Sequence, residues 1–268
     1  MATPRFRTAL ITGGSAGLGA EYARQLAAAG TGLILVARRR DRLEALAAEL
    51  VKAHGVQVLT VAADLSTDAG LGRVEAAVRE CATLDLLVNN AGFGGRSGFI
   101  RGETEDHLVM VRVHIDATVR LTKAALPGMI DRGRGAVINV ASMAAFSPFS
   151  GALYSGTKSF LAMFSENLQA ELRGKGHPIR VQALCPGLTH TEFHAVADLD
   201  LSAVPETFWR TAAYVVRVSL RRLGRGVLCV PGWENKTIAF LMRCPATAAG
   251  IRGLGRLSFL RKRAGGKD

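Results

Sequence analysis

A chain of 268 residues is long enough to bury one large core, and its 49% hydrophobic and 21% charged residues exclude disorder over most of its length. Its net charge of +12 is unevenly placed: from Arg210 onward thirteen Lys or Arg face two acids, whereas the preceding residues are almost balanced. No RNA- or DNA-reading motif accompanies the basic part, so nucleic acid is not expected as a partner, and the four scattered cysteines have neither metal-site spacing nor the density of a disulfide scaffold.

The first apolar run, Thr8 to Thr12, is too short for a signal-peptide core and reads as a strand. No stretch reaches the roughly 18 apolar residues of a spanning helix, so a cytoplasmic protein is expected. The strand runs into Thr12, Gly13, Gly14, Ser15, Ala16, Gly17, Leu18 and Gly19, which open a helix near 18 to 29. Glycines there permit a tight turn and close backbone approach, and the helix start offers free N–H groups and partial positive charge to a pyrophosphate. The next strand, Gly32 to Ala37, ends in Arg38, Arg39 and Arg40 before a helix at 40 to 54. An enzyme selecting NAD usually ends this strand with an acid that holds both ribose hydroxyls, whereas a 2′-phosphate is repelled by an acid and welcomed by arginine, so Arg38 predicts NADP.

Further strands are expected at Val56 to Ala62, Leu84 to Val88, Gly135 to Ala141, Ile179 to Leu184 and Val227 to Val230. Helical patterns fall near 68 to 81, 104 to 130, 155 to 173 and 206 to 223. This alternation predicts an α/β fold, a doubly wound parallel sheet of seven strands of Rossmann type, as one catalytic domain over residues 1–232 with a basic carboxyl-terminal extension over 233–268. Ligands in such sheets sit beyond the carboxyl ends of the strands.

Three residues suit carbonyl chemistry. A ketone that accepts a hydride needs a proton for its oxygen, and Tyr154 at the start of the helix after the fifth strand can supply it. Lys158, four residues on and on the same helix face, is expected to lower the phenol pKa by its charge. Ser142, at the end of the fifth strand, can hydrogen-bond the carbonyl oxygen and stabilise the charge that develops there. Singly, each has a plainer structural explanation; together on a nucleotide-binding framework they point to catalysis.

The glycine spacing T-G-x-x-x-G-x-G resembles that of the short-chain dehydrogenase/reductase family, and other motifs of that family follow in order. Asp64 and Leu65 come after the third strand, where the family places an acid beside the adenine. Asn89, Asn90, Ala91 and Gly92 match its N-N-A-G turn, and Tyr154 to Lys158 its Y-x-x-x-K. Pro186, Gly187, Thr189 and Thr191 match the P-G-x-x-x-T segment wrapped around the nicotinamide end. The resemblance implies catalysis by Ser142, Tyr154 and Lys158, with Tyr154 and Lys158 also contacting the cofactor. It further implies Gly13, Ser15, Gly17, Leu18, Gly19, Arg38, Asp64, Leu65, Asn90, Ala91 and Gly92 as cofactor-binding residues, and a homo-oligomer, dimer or tetramer. Two positions depart from the pattern. Ala16 occupies a place where some NADP-linked relatives carry a basic residue, and His114 one where many carry an Asn that helps hold a water linked to the catalytic Lys.

A family lid over the substrate corresponds to the apolar residues Phe193, Val196, Leu199, Leu201, Phe208 and Trp209, which suits a small hydrophobic carbonyl or alcohol such as an acyl, polyketide or sterol-like compound. Ketone or aldehyde reduction is the leading expectation. Alcohol dehydrogenation by the same residues, or an NADP-binding sensor or scaffold without turnover, are the alternatives. In the extension, Ile251, Leu254, Leu257 and Leu260 recur at three-residue steps among Arg252, Arg256, Arg261, Lys262 and Arg263. Such a helix would suit peripheral contact with an anionic membrane. Packing of the extension on its own sheet or on a partner subunit is the alternative.

Overall fold

The computed structural model describes residues 6–95, 98–147, 151–192, 205–244 and 247. In chain order these form β1 (Thr8–Thr12), α1 (Gly17–Ala28), β2 (Gly32–Ala37), α2 (Arg40–His54), β3 (Val58–Ala62), α3 (Asp68–Glu80) and β4 (Leu84–Asn89). Next come α4 (Thr104–Val111), a π-helical turn (Arg112–Asp116), α5 (Ala117–Asp131), β5 (Gly135–Val140), a 3₁₀ turn (Met143–Phe146), α6 (Ala152–Gly174) and β6 (Ile179–Leu184). The last elements are β7 (Thr189–His190), β8 (Arg210–Thr211), α7 (Ala212–Arg222), β9 (Leu228–Cys229) and α8 (Trp233–Arg243).

The seven expected strands form one parallel sheet in the order β3-β2-β1-β4-β5-β6-β9. The strand sequence runs outward in opposite directions from β1 and β4, and a crevice opens beyond their carboxyl ends. Apolar residues alternate between two cores because successive side chains of a strand point to opposite faces. Ile11, Leu35, Leu86 and Ile138 pack under α1 and α7 with Tyr22, Leu26, Val215 and Leu220. Leu10, Ile34, Leu87 and Val137 pack against α3, α5 and α6 with Val74, Leu121 and Leu172. A strand buried on both faces therefore reads as a continuous apolar run, and each fully buried Leu or Ile contributes about 1.5–3 kcal/mol.

Tertiary contacts alter three of the expected elements. The stretch 104–130 is interrupted by the π-helical turn, whose inserted residue rotates His114 into the interior (1% exposed). The helix expected from 206 starts only at Ala212: Arg210 N–H donates to Leu188 O (3.0 Å), β8 pairs with β7, and the Thr211 hydroxyl caps α7 by accepting from Tyr214 N–H (3.2 Å). Thirdly, α8 occupies the first part of the expected extension. Its Ala239 joins a small core with Ala141, Leu161, Cys185 and Val230, and Glu234 pairs with Arg210. The residues of the cationic tail, 251–268, lie outside the described residues.

Candidate active site

A cleft of about 380 Å³ lies beyond the carboxyl ends of the central strands. A separate hollow of about 470 Å³ lies between α3 and α5 and brings none of the motifs together. Chemistry singles out the cleft.

Its floor is the turn between β1 and α1. Thr12 Oγ1 accepts from Asn90 N–H and Ala91 N–H (2.9 Å each), and Asn90 Nδ2 donates to Thr12 O (2.9 Å), so the turn after β4 is fastened to the glycine-rich turn. Gly13, Ser15, Gly17 and Leu18 line the cleft. Gly19 does not. It lies beneath the turn, where a Cβ would come within 2.2 Å of Gly13 O, so its glycine serves backbone packing. The result is a glycine-rich turn leading into the start of α1, which fits a dinucleotide pyrophosphate.

One end of the cleft is basic. Arg38 and Arg39 line it, and no acid terminates β2. Arg39, the neighbour of Arg38 in the Arg38–Arg40 run, thus faces the cleft as well. Glu192 reaches back from beyond β7 to Arg42 (3.0 Å) and Arg39 (3.6 Å), a contact that nothing local in sequence announces. Asp64 and Leu65 line the same end. Burial would raise the Asp64 carboxyl, but bonds from Ser66 N–H (2.9 Å) and Ser66 Oγ (2.7 Å) and the charge of Arg38 outweigh it and hold the pKa below the usual range.

At the other end Ser142, Tyr154 and Lys158 converge with Asn90, Ala91 and Gly92. Ser142 leaves β5 and caps the 3₁₀ turn, its Oγ accepting from Ala144 N–H (3.1 Å). Lys158 is buried in α6 and donates to Val140 O (2.9 Å), with its Nζ 5.6 Å from the centroid of the Tyr154 ring. Burial lowers the Lys158 pKa to about 8, partly countered by Cys185. Burial raises the Tyr154 phenol to about 12, with a hydrogen bond to Ser142 pulling the other way. The expected lowering by Lys158 is thus outweighed: its nitrogen is engaged by a backbone carbonyl, and desolvation of the phenolate is the larger effect.

Pro186, Gly187, Thr189 and Thr191 close the wall. Gly187 rests on Asn235 of α8, whose amide a Cβ would meet at 2.7 Å. Asn235, fixed by its bond to Pro231 O (2.9 Å), is a supporting residue that the motifs do not reveal. The apolar side is formed by Phe93, Val109 and Val113, the latter two four residues apart and facing the cleft across the α4 junction. Of the expected lid, Phe193, Val196, Leu199 and Leu201 lie outside the described residues. Phe208 is 40% exposed and Trp209 stacks on His190, with centroids 4.9 Å apart.

Known proteins share this fold. An uncharacterized oxidoreductase of Myxococcus xanthus is 37% identical over 209 residues, covering 77% of this chain and 81% of that protein. Among solved structures, a short-chain dehydrogenase from Sphingobium yanoikuyae in complex with NADPH superimposes with a TM-score of 0.80 at 34% identity, covering 96% of this chain and 95% of the other. A bulky-bulky ketone specific alcohol dehydrogenase from Comamonas testosteroni gives 0.77 at 27% identity with the same coverage. The family model for short chain dehydrogenases matches residues 7–201, most of the sheet and every motif of the cleft, and the chain belongs to the short-chain dehydrogenase/reductase family.

Proposed function

We propose that the protein is an NADP-dependent reductase of ketones or aldehydes on hydrophobic molecules. The observation that carries this reading is the convergence of Ser142, Tyr154 and Lys158 on one cleft with the glycine turn and the Arg38–Arg39 end. When bound, NADPH supplies the hydride. The glycine-rich turn at Gly13 to Leu18 would hold its pyrophosphate, Arg38 and Arg39 its 2′-phosphate, and Asp64 and Leu65 would flank the adenine. Asn90, Ala91, Gly92, Pro186, Gly187, Thr189 and Thr191 would enclose the nicotinamide end, with Lys158 on its ribose. Ser142 hydrogen-bonds the substrate oxygen, and Tyr154 gives that oxygen its proton as negative charge builds up. Phe93, Val109 and Val113 offer an apolar wall to the rest of the substrate, and the bulky-ketone specificity of the Comamonas testosteroni enzyme supports that class. The intact trio weighs against a sensor or scaffold.

Burial keeps the Tyr154 phenol protonated through neutral pH, the state that reduction needs. The pH dependence follows. Lys158, with a pKa near 8, carries its charge below that pH and loses it above. With a panel of bulky apolar ketones and aldehydes, NADPH oxidation is expected, with kcat/KM level through neutral pH and declining above about 8. In the reverse direction, which needs the phenolate, the rate should keep rising as pH increases. Absence of turnover across the panel would leave only the sensor reading, and an oxidative optimum at lower pH than the reductive one would reverse the roles given to Tyr154.

We further propose a homo-oligomer and a peripheral contact with anionic membranes through the basic carboxyl-terminal part. Among the described residues no helix is long and apolar enough to cross a membrane. However, α8 exposes Trp233 (77%) and Phe240 (72%), seven residues apart, beside Lys236 and Arg243. Aromatic residues amid basic ones suit the headgroup region, and each basic residue near anionic lipid adds about 1 kcal/mol that salt screens away. In liposome co-sedimentation the full chain should bind phosphatidylglycerol vesicles at low salt and release them at high salt, and a chain ending at Ala248 should bind less. No binding of either at low salt would discard the contact.

A further inference from the structure

We propose that His114 is a positioning residue: a neutral imidazole fixed as its Nδ1–H tautomer, which ties the turn after β4 to the first turn of α6 and so sets where Tyr154 and Lys158 stand in the cleft. The inference rests on the functional reading above and concerns a position where many family members carry Asn.

The hydrogen-bond directions are fixed by their two ends. Phe93 N–H can only donate, and it points at His114 Nε2 (3.0 Å), so Nε2 carries no proton. At the far end Thr157 Oγ1 donates its one proton to Tyr154 O (2.9 Å), so towards His114 Nδ1 (2.9 Å) it must accept. The chain therefore runs Phe93 N–H to Nε2, Nδ1–H to Thr157, Thr157 O–H to the carbonyl of Tyr154 itself. An imidazolium would set a proton on Nε2 against the Phe93 N–H. It would also stand close to Lys158: a Cβ on Gly92 would lie 3.0 Å from His114 Nε2 and 3.4 Å from Lys158 Nζ. Besides Lys158, the ionisable group facing the ring is Tyr154, whose ring meets it edge-on at 6.0 Å, and Phe93 covers a further side at 5.5 Å. Burial first, and then the Lys158 charge, hold the imidazole well below its ordinary pKa, and the Phe93 N–H aimed at Nε2 independently leaves that nitrogen unprotonated.

The fold is arranged for this link. The π-helical turn places His114 between the two segments, and the Thr118 hydroxyl donates to His114 O (2.8 Å), holding the widened turn at the point where the ring leaves it. An Asn is too short to reach both Phe93 and Thr157. Its terminal atoms coincide with the Nδ1 position, whereas those of Gln coincide with the Nε2 position, so His is the side chain that satisfies both ends.

The same correspondence gives the test. His114→Asn keeps the bond to Thr157 and loses Phe93, and His114→Gln does the reverse. Each, and Thr157→Val, is expected to lower kcat by about threefold to tenfold with little change in KM for NADPH, a size usual for contacts that act through another residue. Thr157→Val should cost activity in the unmodified and His114→Asn proteins and clearly less in His114→Gln, where the His114–Thr157 link is already broken. The alkaline limb of reductive kcat/KM should move in the variants as Lys158 and Tyr154 lose their register. In the ¹⁵N spectrum of histidine-labelled protein, the signals absent from His114→Asn should report a neutral Nδ1–H tautomer that does not titrate between pH 5 and 9. Equal costs for Thr157→Val in all three backgrounds, an unmoved alkaline limb, or a ring that titrates in this range or carries its proton on Nε2 would each overturn the proposal. Absence of turnover in the unmodified protein would instead bring down the functional reading, and the tautomer would still be read.

Discussion

Tyr154→Phe is expected to reduce turnover by about three orders of magnitude, the scale on which a positioned general acid acts. The substitution removes one oxygen. The ring stays in place, so its edge-on contact with His114 and its place beneath Lys158 Nζ are kept. The backbone carbonyl of residue 154, which accepts from Thr157, is untouched as well. Cofactor affinity should therefore be nearly unchanged, because the glycine-rich turn at Gly13 to Leu18 and the arginines at the end of β2 do not involve the phenol. Fluorescence titration with NADPH alongside steady-state rates separates the two effects. Substantial remaining activity at neutral pH would mean that the proton comes from another group, and a parallel loss of NADPH binding would mean that the ring was structural.

The second large effect is expected at the opposite end of the cleft. The unmodified protein should prefer NADPH to NADH by at least about tenfold in kcat/KM, equivalent to roughly 1.4 kcal/mol from arginine contacts to the 2′-phosphate. Arg38→Asp should erase or invert that preference. The new acid would repel the phosphate and could instead hold the free ribose hydroxyls. Arg39 lines the cleft beside Arg38, so some attraction for phosphate remains, and the double substitution should go further. Direct binding of the two cofactors measures this without turnover. Equal use of NADPH and NADH by the unmodified protein would refute the assignment of Arg38.

Much of the site could be read from local spacing. Tyr154 and Lys158 stand four apart because one helical turn brings them to one face, and the glycine-rich turn follows its strand directly. Such signals survive in a one-dimensional sequence because the chain itself fixes the distance between the residues. Arg38 and Arg39 show the limit: the run of arginines was visible, but only the folded chain shows that Arg39 also faces the cleft and that Arg42 pairs with Glu192 from 150 residues away. Asn235 beneath Gly187 was hidden for the same reason.

The sequence by itself determined the seven parallel strands, their crossovers and the motifs at their carboxyl ends, because alternation of apolar runs with helical patterns has few stable packings and places each strand end in a known layer. Only the tertiary structure decided three further matters. The π-helical turn carries a buried His114 that meets partners 21 and 43 residues away, contacts that the local sequence does not announce. The helix after Trp209 begins late because Arg210 is held by β7 and α8. And the Tyr154 phenol is raised rather than lowered, because in a buried site the loss of water around a phenolate outweighs a lysine whose nitrogen is turned to Val140 O, a balance set by burial and geometry that spacing along the chain does not encode.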